Sequence, residues 1–267
     1  MIYFAATPIG NLKDITLRVL ETLKEADAIF CEDTRHTLKL LSAYEIKKPL
    51  YSCHKFNESE AADKIIALSR EGKNICIVSD AGMPVISDPG ALVAKKLSEA
   101  GEPFTVLPGA CAFISALALS AFPSDKFTFL GFLPDKTGER KKVLECYKDA
   151  SETLIVHAAP QDVDDYLKLM YEVFGDRPAC AVREITKIHE EVRRFSLGEG
   201  LSGEKRGEYV LLVEGAAKKE NPLNALGVRE HIKAYMERGM DKKEAIKAVA
   251  RDRGLSKNEV YQEALEL

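Results

Sequence analysis

No stretch of the 267-residue sequence is long and apolar enough to span a membrane; even Ala110–Ala121, among the longest apolar segments, is short and interrupted. The first residues, Met1-Ile2-Tyr3-Phe4-Ala5, carry no basic segment ahead of a long apolar run, so no secretory signal is read and a cytoplasmic location is expected. Cys31, Cys53, Cys76, Cys111, Cys146 and Cys180 are scattered, with no Cys-x-x-Cys pair and no close Cys/His group. A disulfide framework or zinc site needs clustered spacing, so no metal is expected and the cysteines read as small apolar side chains in a reducing compartment. There is no surplus of positive charge: 38 Lys and Arg stand against 42 Asp and Glu, a net charge of −4. Any nucleic-acid partner must therefore be held by local basic patches. Internal repeats and low-complexity tracts are missing too. What remains, at 46% hydrophobic and 30% charged, is a chain able to bury a substantial core.

The first half alternates β-rich and helical runs. Ile2–Ala5, Ala28–Cys31, Asn74–Val78 and Phe104–Leu107 read as strands, and Ile15–Ala26 carries apolar residues at helical spacing. Asn57 with Glu60 predicts a capping box opening a helix to about Glu71. Asp88-Pro89 predicts a capping carboxylate followed by proline at the first helical position. The layout is an open α/β sheet with loops gathered at the carboxyl ends of strands. A composition break between Phe132-Leu133-Pro134 and Gly138 marks a domain boundary. Beyond it come a helix from about Glu139, a strand at Thr153–Val156, a helix around Val163–Phe174, and strands at Ala179–Arg183, Glu190–Phe195 and Tyr209–Val213. This half reads as mixed and partly antiparallel. Lys218–Asn224 is a polar linker, and the chain from Val228 onward is helical, with a helix-turn-helix look around Gly254-Leu255-Ser256.

Three segments place glycine, proline or carboxylates directly after strands. Ala6–Leu12 is neither a Walker A loop nor a Rossmann fingerprint and, alone, reads as a plain turn. Ser79–Gly90 holds two Asp, two Gly and two Pro in twelve residues, more than a structural turn needs. Such a loop exposes backbone N–H and C=O groups where open α/β sheets bind ligands. Asp80 could hold a ribose diol or an amino group there, whereas Asp88 reads as a helix cap. Pro108-Gly109-Ala110-Cys111-Ala112 is again strand, turn, helix, with Cys111 a small lining residue.

Together these loops resemble the tetrapyrrole methylase superfamily, and more closely its ribosomal RNA 2′-O-methyltransferase branch. The resemblance is carried by Ala6–Leu12 with Asp14-Ile15-Thr16, Glu32–Thr37, Ser79–Gly90, Pro108-Gly109, Phe122–Phe127 and Gly131–Pro134. In the second half, Arg183–Lys187 with His189-Glu190-Glu191 and Gly207–Val210 extend it. Where the family has a Tyr-Glu-Ser-Pro-His-Arg-like segment, this chain has His157-Ala158-Ala159-Pro160-Gln161-Asp162, and Met83-Pro84-Val85 replaces Thr-Pro-Gly.

The resemblance implies two α/β domains, 1–133 and 134–217, with the cofactor cleft between them, and a small helical domain at 225–267. It implies S-adenosylmethionine as methyl donor, a cytidine ribose of 16S ribosomal RNA in the 30S subunit as acceptor, and a homodimer. The donor is expected on Pro8, Asp80, Ala81, Gly82, Met83, Val85, Pro108, Gly109, Cys111 and Ala112, with His157 and Ala158 completing the pocket. Glu32, Asp33 and Arg35 are candidates for the acceptor side, as a carboxylate base with a guanidinium clamp for phosphate. A self-contained ion pair capping the next helix is the alternative. Arg183, Glu184 and Lys187 form a second candidate set. Lys136, Arg140, Lys141 and Lys142, then Arg193-Arg194, and the basic residues of the C-terminal helices are candidate RNA contacts. A small-molecule methyltransferase and a non-catalytic RNA-binding protein are the rival readings.

Overall fold

A computed structural model gives the fold and describes residues 1–217 and 221–265. The linker read at Lys218–Asn224 and the end of the segment read as 225–267 lie partly outside the described residues. The chain divides into two compact units, Met1–Ala216 and Ala217–Leu267.

In the first unit, apolar runs too short for core helices become strands. β1 (Ile2–Ala5), β2 (Ala28–Cys31), β3 (Leu50–Ser52), β4 (Ile75–Val78) and β5 (Phe104–Leu107) form a wholly parallel sheet in the order β3-β2-β4-β1-β5. β2 and β4 are buried at every residue, as a sheet covered on both faces requires. One face packs against α1 (Leu17–Glu25) and α2 (Thr34–Ala43) through Val19, Leu23 and Leu41. The other packs against α3 (Glu58–Arg70) and α4 (Ala91–Glu99) through Ala62, Ile65, Val93 and Leu97. β1 and β4 are neighbours whose connections leave in opposite directions, which opens a crevice at their carboxyl ends.

β6 (Phe127–Phe132), β7 (Thr153–Ala158), β8 (Pro178–Arg183), β9 (Glu191–Ser196) and β10 (Tyr209–Val213) form a second sheet, ordered β6-β7-β10-β8-β9. Only its β6–β7 pair is parallel. α6 (Thr137–Glu145) and α7 (Val163–Phe174) cover one face through Leu144, Tyr166 and Met170. The opposite face is covered by α5 (Ala112–Ser120), whose Ala116 and Leu117 pack on Ile155, Val182 and Leu212. Because α5 follows β5 of the first sheet, it fixes the two sheets side by side. No helix among the described residues is long and apolar enough to cross a membrane.

The second unit contains α8 (Val228–Glu237), α9 (Lys242–Arg253) and α10 (Lys257–Ala264) around Ile232, Val249 and Val260. Capping boxes at Asp241/Glu244 and Ser256/Glu259 start its last two helices, and Gly254, at φ +65°, supplies the left-handed turn between them.

Two expected helix starts are corrected. Asn57 precedes α3 but makes no capping box; its Oδ1 accepts from His54 N–H (2.7 Å) and its Nδ2 donates to the Ser52 carbonyl (3.1 Å). α4 begins at Ala91 behind Gly90, not at Asp88-Pro89. Its first N–H groups are satisfied through space: Glu58 Oε2, from α3, accepts from Gly90 N–H (3.1 Å) and Leu92 N–H (3.0 Å). Asp88 is thereby left out of the cap.

Candidate functional site

The three glycine- and proline-bearing loops converge. Thr7 and Gly82 exchange backbone hydrogen bonds of 2.9 and 3.0 Å, joining the loops after β1 and β4, and Thr7 Oγ1 donates to the Ser79 carbonyl (3.2 Å). The loop after β5 closes on the first: a Cβ at Gly109 would lie 2.8 Å from Ala6 Cβ, so only glycine permits that approach. The Ser79–Gly90 loop is also strained, with Val85 at φ +79° and Ser87 at φ +65°. A β-branched residue in that region is a true outlier, and such strain of about 1–3 kcal/mol per residue collects at ligand sites.

Between these loops and the second sheet lies a cleft of about 480 Å³, within the usual range for small-molecule sites. Of the residues expected from sequence, Asp80, Ala81, Gly82, Met83, Cys111, Ala112, His157, Ala158 and Glu32 line it. Pro8, Val85, Pro108 and Gly109 belong to the same loops but not to the lining. Asp33 and Arg35 also stand outside it. The Asp33 carboxylate accepts from Arg35 N–H (2.8 Å) at the start of α2 and forms a two-point pair with the guanidinium, at 3.1 and 2.8 Å. Those hydrogen bonds from Arg35 hold Asp33 far below the ordinary carboxylate range. The pair caps α2 and leaves the guanidinium exposed to solvent.

The first-sheet wall is acidic. Asp80 Oδ1 accepts from Asp33 N–H (3.1 Å), and its other oxygen has no hydrogen-bond partner among the described residues. Glu32 is raised by burial and by the Asp80 charge, while His54 pulls it down. Asp88, set aside by sequence reasoning as a cap, lines the cleft instead. Burial, with Glu32 and Asp80 close by, pushes it to about 6 against the pull of the Ser79 hydroxyl. Its local signal was ambiguous, because Asp before Pro fits a helix start equally well.

On the second-sheet wall, Lys187 donates to Glu184 Oε1 (3.0 Å) and Glu208 Oε2 (2.8 Å). Burial acts to lower Lys187, but those two carboxylates outweigh it and keep the ammonium charged. A Cβ at Gly10 would collide with the Lys187 stem, so that glycine lets the loop after β1 reach across. Arg183, third of that candidate set, pairs with Glu191 (3.3 Å) and does not line the cleft. Phe132 and Phe113, neither anticipated, complete the wall. Phe113 stacks on Phe129 at 4.1 Å, and the His157 ring stands 5.3 Å from Phe132. Burial lowers His157 and raises Cys111, so both are neutral at physiological pH. At Gly131, φ +66° lets β6 come close to the Ser87 hydroxyl, joining the two walls.

Two expected RNA contacts are corrected. Arg140 is buried, donating to the Pro134 carbonyl (2.6 Å) and pairing with Asp162 (2.9 Å), so it does not belong to an exposed patch with Lys141 and Lys142. Arg194 donates to the carbonyls of Ser120 (2.9 Å) and Leu119 at the end of α5.

Comparison with known proteins agrees with this geometry. The family described as Tetrapyrrole (Corrin/Porphyrin) Methylases matches residues 1–200. Ribosomal RNA small subunit methyltransferase I of Bacillus subtilis is 43% identical over 270 residues, covering 98% of this chain and 92% of that protein. The protein of the same name from Escherichia coli O157:H7 is 39% identical, covering 99% and 94%. Among solved structures, uroporphyrin-III-C-methyltransferase from Thermus thermophilus has a TM-score of 0.54 at 21% identity, covering 80% of this chain and 93% of its own. The methyltransferase CobJ reaches 0.62 at 17% identity, covering 81% and 94%. At such identities the structures speak for the fold alone.

Proposed function

This chain belongs to the tetrapyrrole methylase family, in the branch of the ribosomal RNA small subunit methyltransferases, and from that premise we propose that it methylates the ribose 2′-hydroxyl of a cytidine in 16S ribosomal RNA, with S-adenosylmethionine as donor. The observation that carries the reading is the convergence of the loops after β1, β4 and β5 on one cleft whose far wall is the second sheet. The acceptor belongs to the 30S subunit and the working form is a homodimer, both as expected for the branch.

The residues present fit the donor. A sulfonium and an ammonium call for anionic neighbours, and Glu32, Asp80 and Asp88 supply them, with one Asp80 oxygen free of hydrogen bonds among the described residues. Ile9, Met83 and Phe132 offer apolar surface to an adenine or a methionine chain. When bound, S-adenosylmethionine supplies a methyl carbon made electrophilic by the sulfonium. The protein's part is to align the acceptor oxygen and keep water out, and alignment alone is worth roughly 7–11 kcal/mol in favourable cases. Asp80 through Met83, Cys111 and Ala112 would hold the donor, with His157 and Ala158 completing the pocket. Pro8, Val85, Pro108 and Gly109 shape the loops that do so. Asp88 takes the proton of the attacking hydroxyl: it is ionised at neutral pH, yet more basic than an ordinary carboxylate. Glu32 keeps it so. Arg35, exposed beside Asp33, meets a phosphate of the RNA.

The test is transfer of labelled methyl from S-adenosylmethionine to 30S subunits taken from cells lacking this protein, followed by mass spectrometry of the 16S RNA. The expected product is a single 2′-O-methylcytidine. Methylation of a porphyrin precursor with none of the RNA would replace this reading by the small-molecule one, and failure to bind the donor would favour a non-catalytic RNA-binding protein.

A further inference from the structure

We propose that Phe56, on the turn between β3 and α3, is a stacking platform for a base of single-stranded RNA at the rim of the cleft. The proposal rests on the RNA reading above and names the surface that reading lacks. Phe56 is 91% exposed. Single exposed apolar residues are ordinary, but this one is displayed by a braced turn. Phe56 N–H donates to His54 Nδ1 (3.3 Å), Asn57 N–H to the His54 carbonyl (2.9 Å), and the Asn57 side chain ties His54 N–H to the Ser52 carbonyl. The His54 ring stands edge-on to the phenyl ring, centroids 6.1 Å apart. Asn57 gives up its capping role to hold this turn.

The turn lies at the edge of the sheet that carries the cleft. β3 runs beside β2, and Cys53 N–H donates to the Cys31 carbonyl (2.7 Å), one residue before Glu32. His54 is near enough to act on the Glu32 charge. Glu58, next along the chain, reaches Gly90 at the end of the cleft loop. Across the cleft, Ile188 is 97% exposed beside Lys187, on a turn fixed by Thr186 N–H donating to Glu190 Oε2 (2.6 Å). Both walls therefore carry an exposed apolar residue next to a lysine, of which Lys187 is held by Glu184 and Glu208.

An exposed ring beside Lys55 is what single-stranded RNA requires: the ring meets a base face and the ammonium meets a phosphate. Lys55 is exposed and has no ion pair or hydrogen bond among the described residues, so its charge is available. A lone ring beside a cation lacks the broad apolar core of a protein interface.

The sequence contains no tryptophan, so Phe56→Trp places the only indole of the protein at this point. Its emission is read against a short single-stranded RNA oligonucleotide and against heparin, a polyanion without bases. Stacking gives quenching by RNA and none by heparin. Phe56→Ala then loses RNA affinity on the order of tenfold, the contribution of one stacked base, with donor affinity unchanged, and Phe56→Tyr restores it. RNA that binds without altering the emission, equal quenching by heparin, or a response to 30S subunits but not to the oligonucleotide overturns the proposal. Quenching by RNA in a protein that transfers no methyl to 30S subunits keeps the platform and discards the proposed reaction.

Discussion

The two walls of the cleft carry their charge in opposite ways. On the first-sheet wall, Glu32, Asp80 and Asp88 crowd together and form no ion pair among the described residues, and burial with mutual repulsion raises Glu32 and Asp88. On the second, Lys187 is neutralised by Glu184 and Glu208 at hydrogen-bonding distance. Both walls hold non-glycine residues at positive φ, Val85 and Ser87 on one and Glu184 and Thr186 on the other, so both are strained. Only the first leaves its carboxylates without an ion pair among the described residues. A protein keeps unpaired carboxylates in a cleft at a cost in stability, and the economical explanation is a cationic ligand that repays it on binding. The second wall is a finished structure that supports the first.

The sharpest way to break that contrast is Asp88→Asn. Turnover is expected to fall by about 10²–10⁴-fold with donor and RNA binding retained. In the wild type, turnover should decline as pH falls through about 6, where Asp88 takes up a proton, and this limb should vanish in the variant. A pH profile unchanged by the substitution removes Asp88 from the proton transfer. Asp80→Ala should weaken S-adenosylmethionine binding by roughly tenfold or more, the value of a charge-assisted contact, with the circular dichroism spectrum intact. Unaltered affinity by calorimetry takes Asp80 out of the site.

Lys187→Met tests the other wall. It leaves Glu184 and Glu208 uncompensated, so stability should fall by about 1–3 kcal/mol in denaturant titration, with little change in donor affinity. A large loss of donor affinity with stability preserved would reverse the assignment of the walls. Asp88→Asn has a second, smaller consequence. A carboxyl raised in the folded state adds relative stability at pH below its unfolded value near 4, and loses it as pH climbs through about 6. The amide should therefore stabilise the protein at neutral pH by up to about 2 kcal/mol and have no such advantage in acid, as thermal unfolding at the two pH values will report. Last, Glu58→Ala removes the acceptor for Gly90 and Leu92 and should cost about 1 kcal/mol.

Much of this was legible beforehand. Strands such as Ile2–Ala5 and Tyr209–Val213 are short apolar runs, the helix Val163–Phe174 carries its own periodicity, and the density of Gly, Pro and Asp in Ser79–Gly90 marks a loop that does more than turn. β3 was not legible: two half-buried residues and an exposed one after a proline become a strand only by pairing with β2. β6 ends where composition suggested a boundary, and it exists through its pairing with β7 across a bulge. Arg140 and Arg194 read as free cations because their partners, Asp162 and the end of α5, are distant in sequence.

The sequence by itself determined the two kinds of half, the strand–loop–helix units and the residues concentrated at their turns, since propensity, periodicity and turn chemistry act within a few neighbours. Tertiary structure alone decided which of those residues face the cleft. Asp88 and Asn57 both carry sound local signals for capping, yet Glu58 reaches the start of α4 from 32 residues away and Asn57 is taken up by its own turn. A hydrogen bond to a helix end is satisfied by whichever acceptor packing brings near, and that is settled only when the sheet and its helices have assembled.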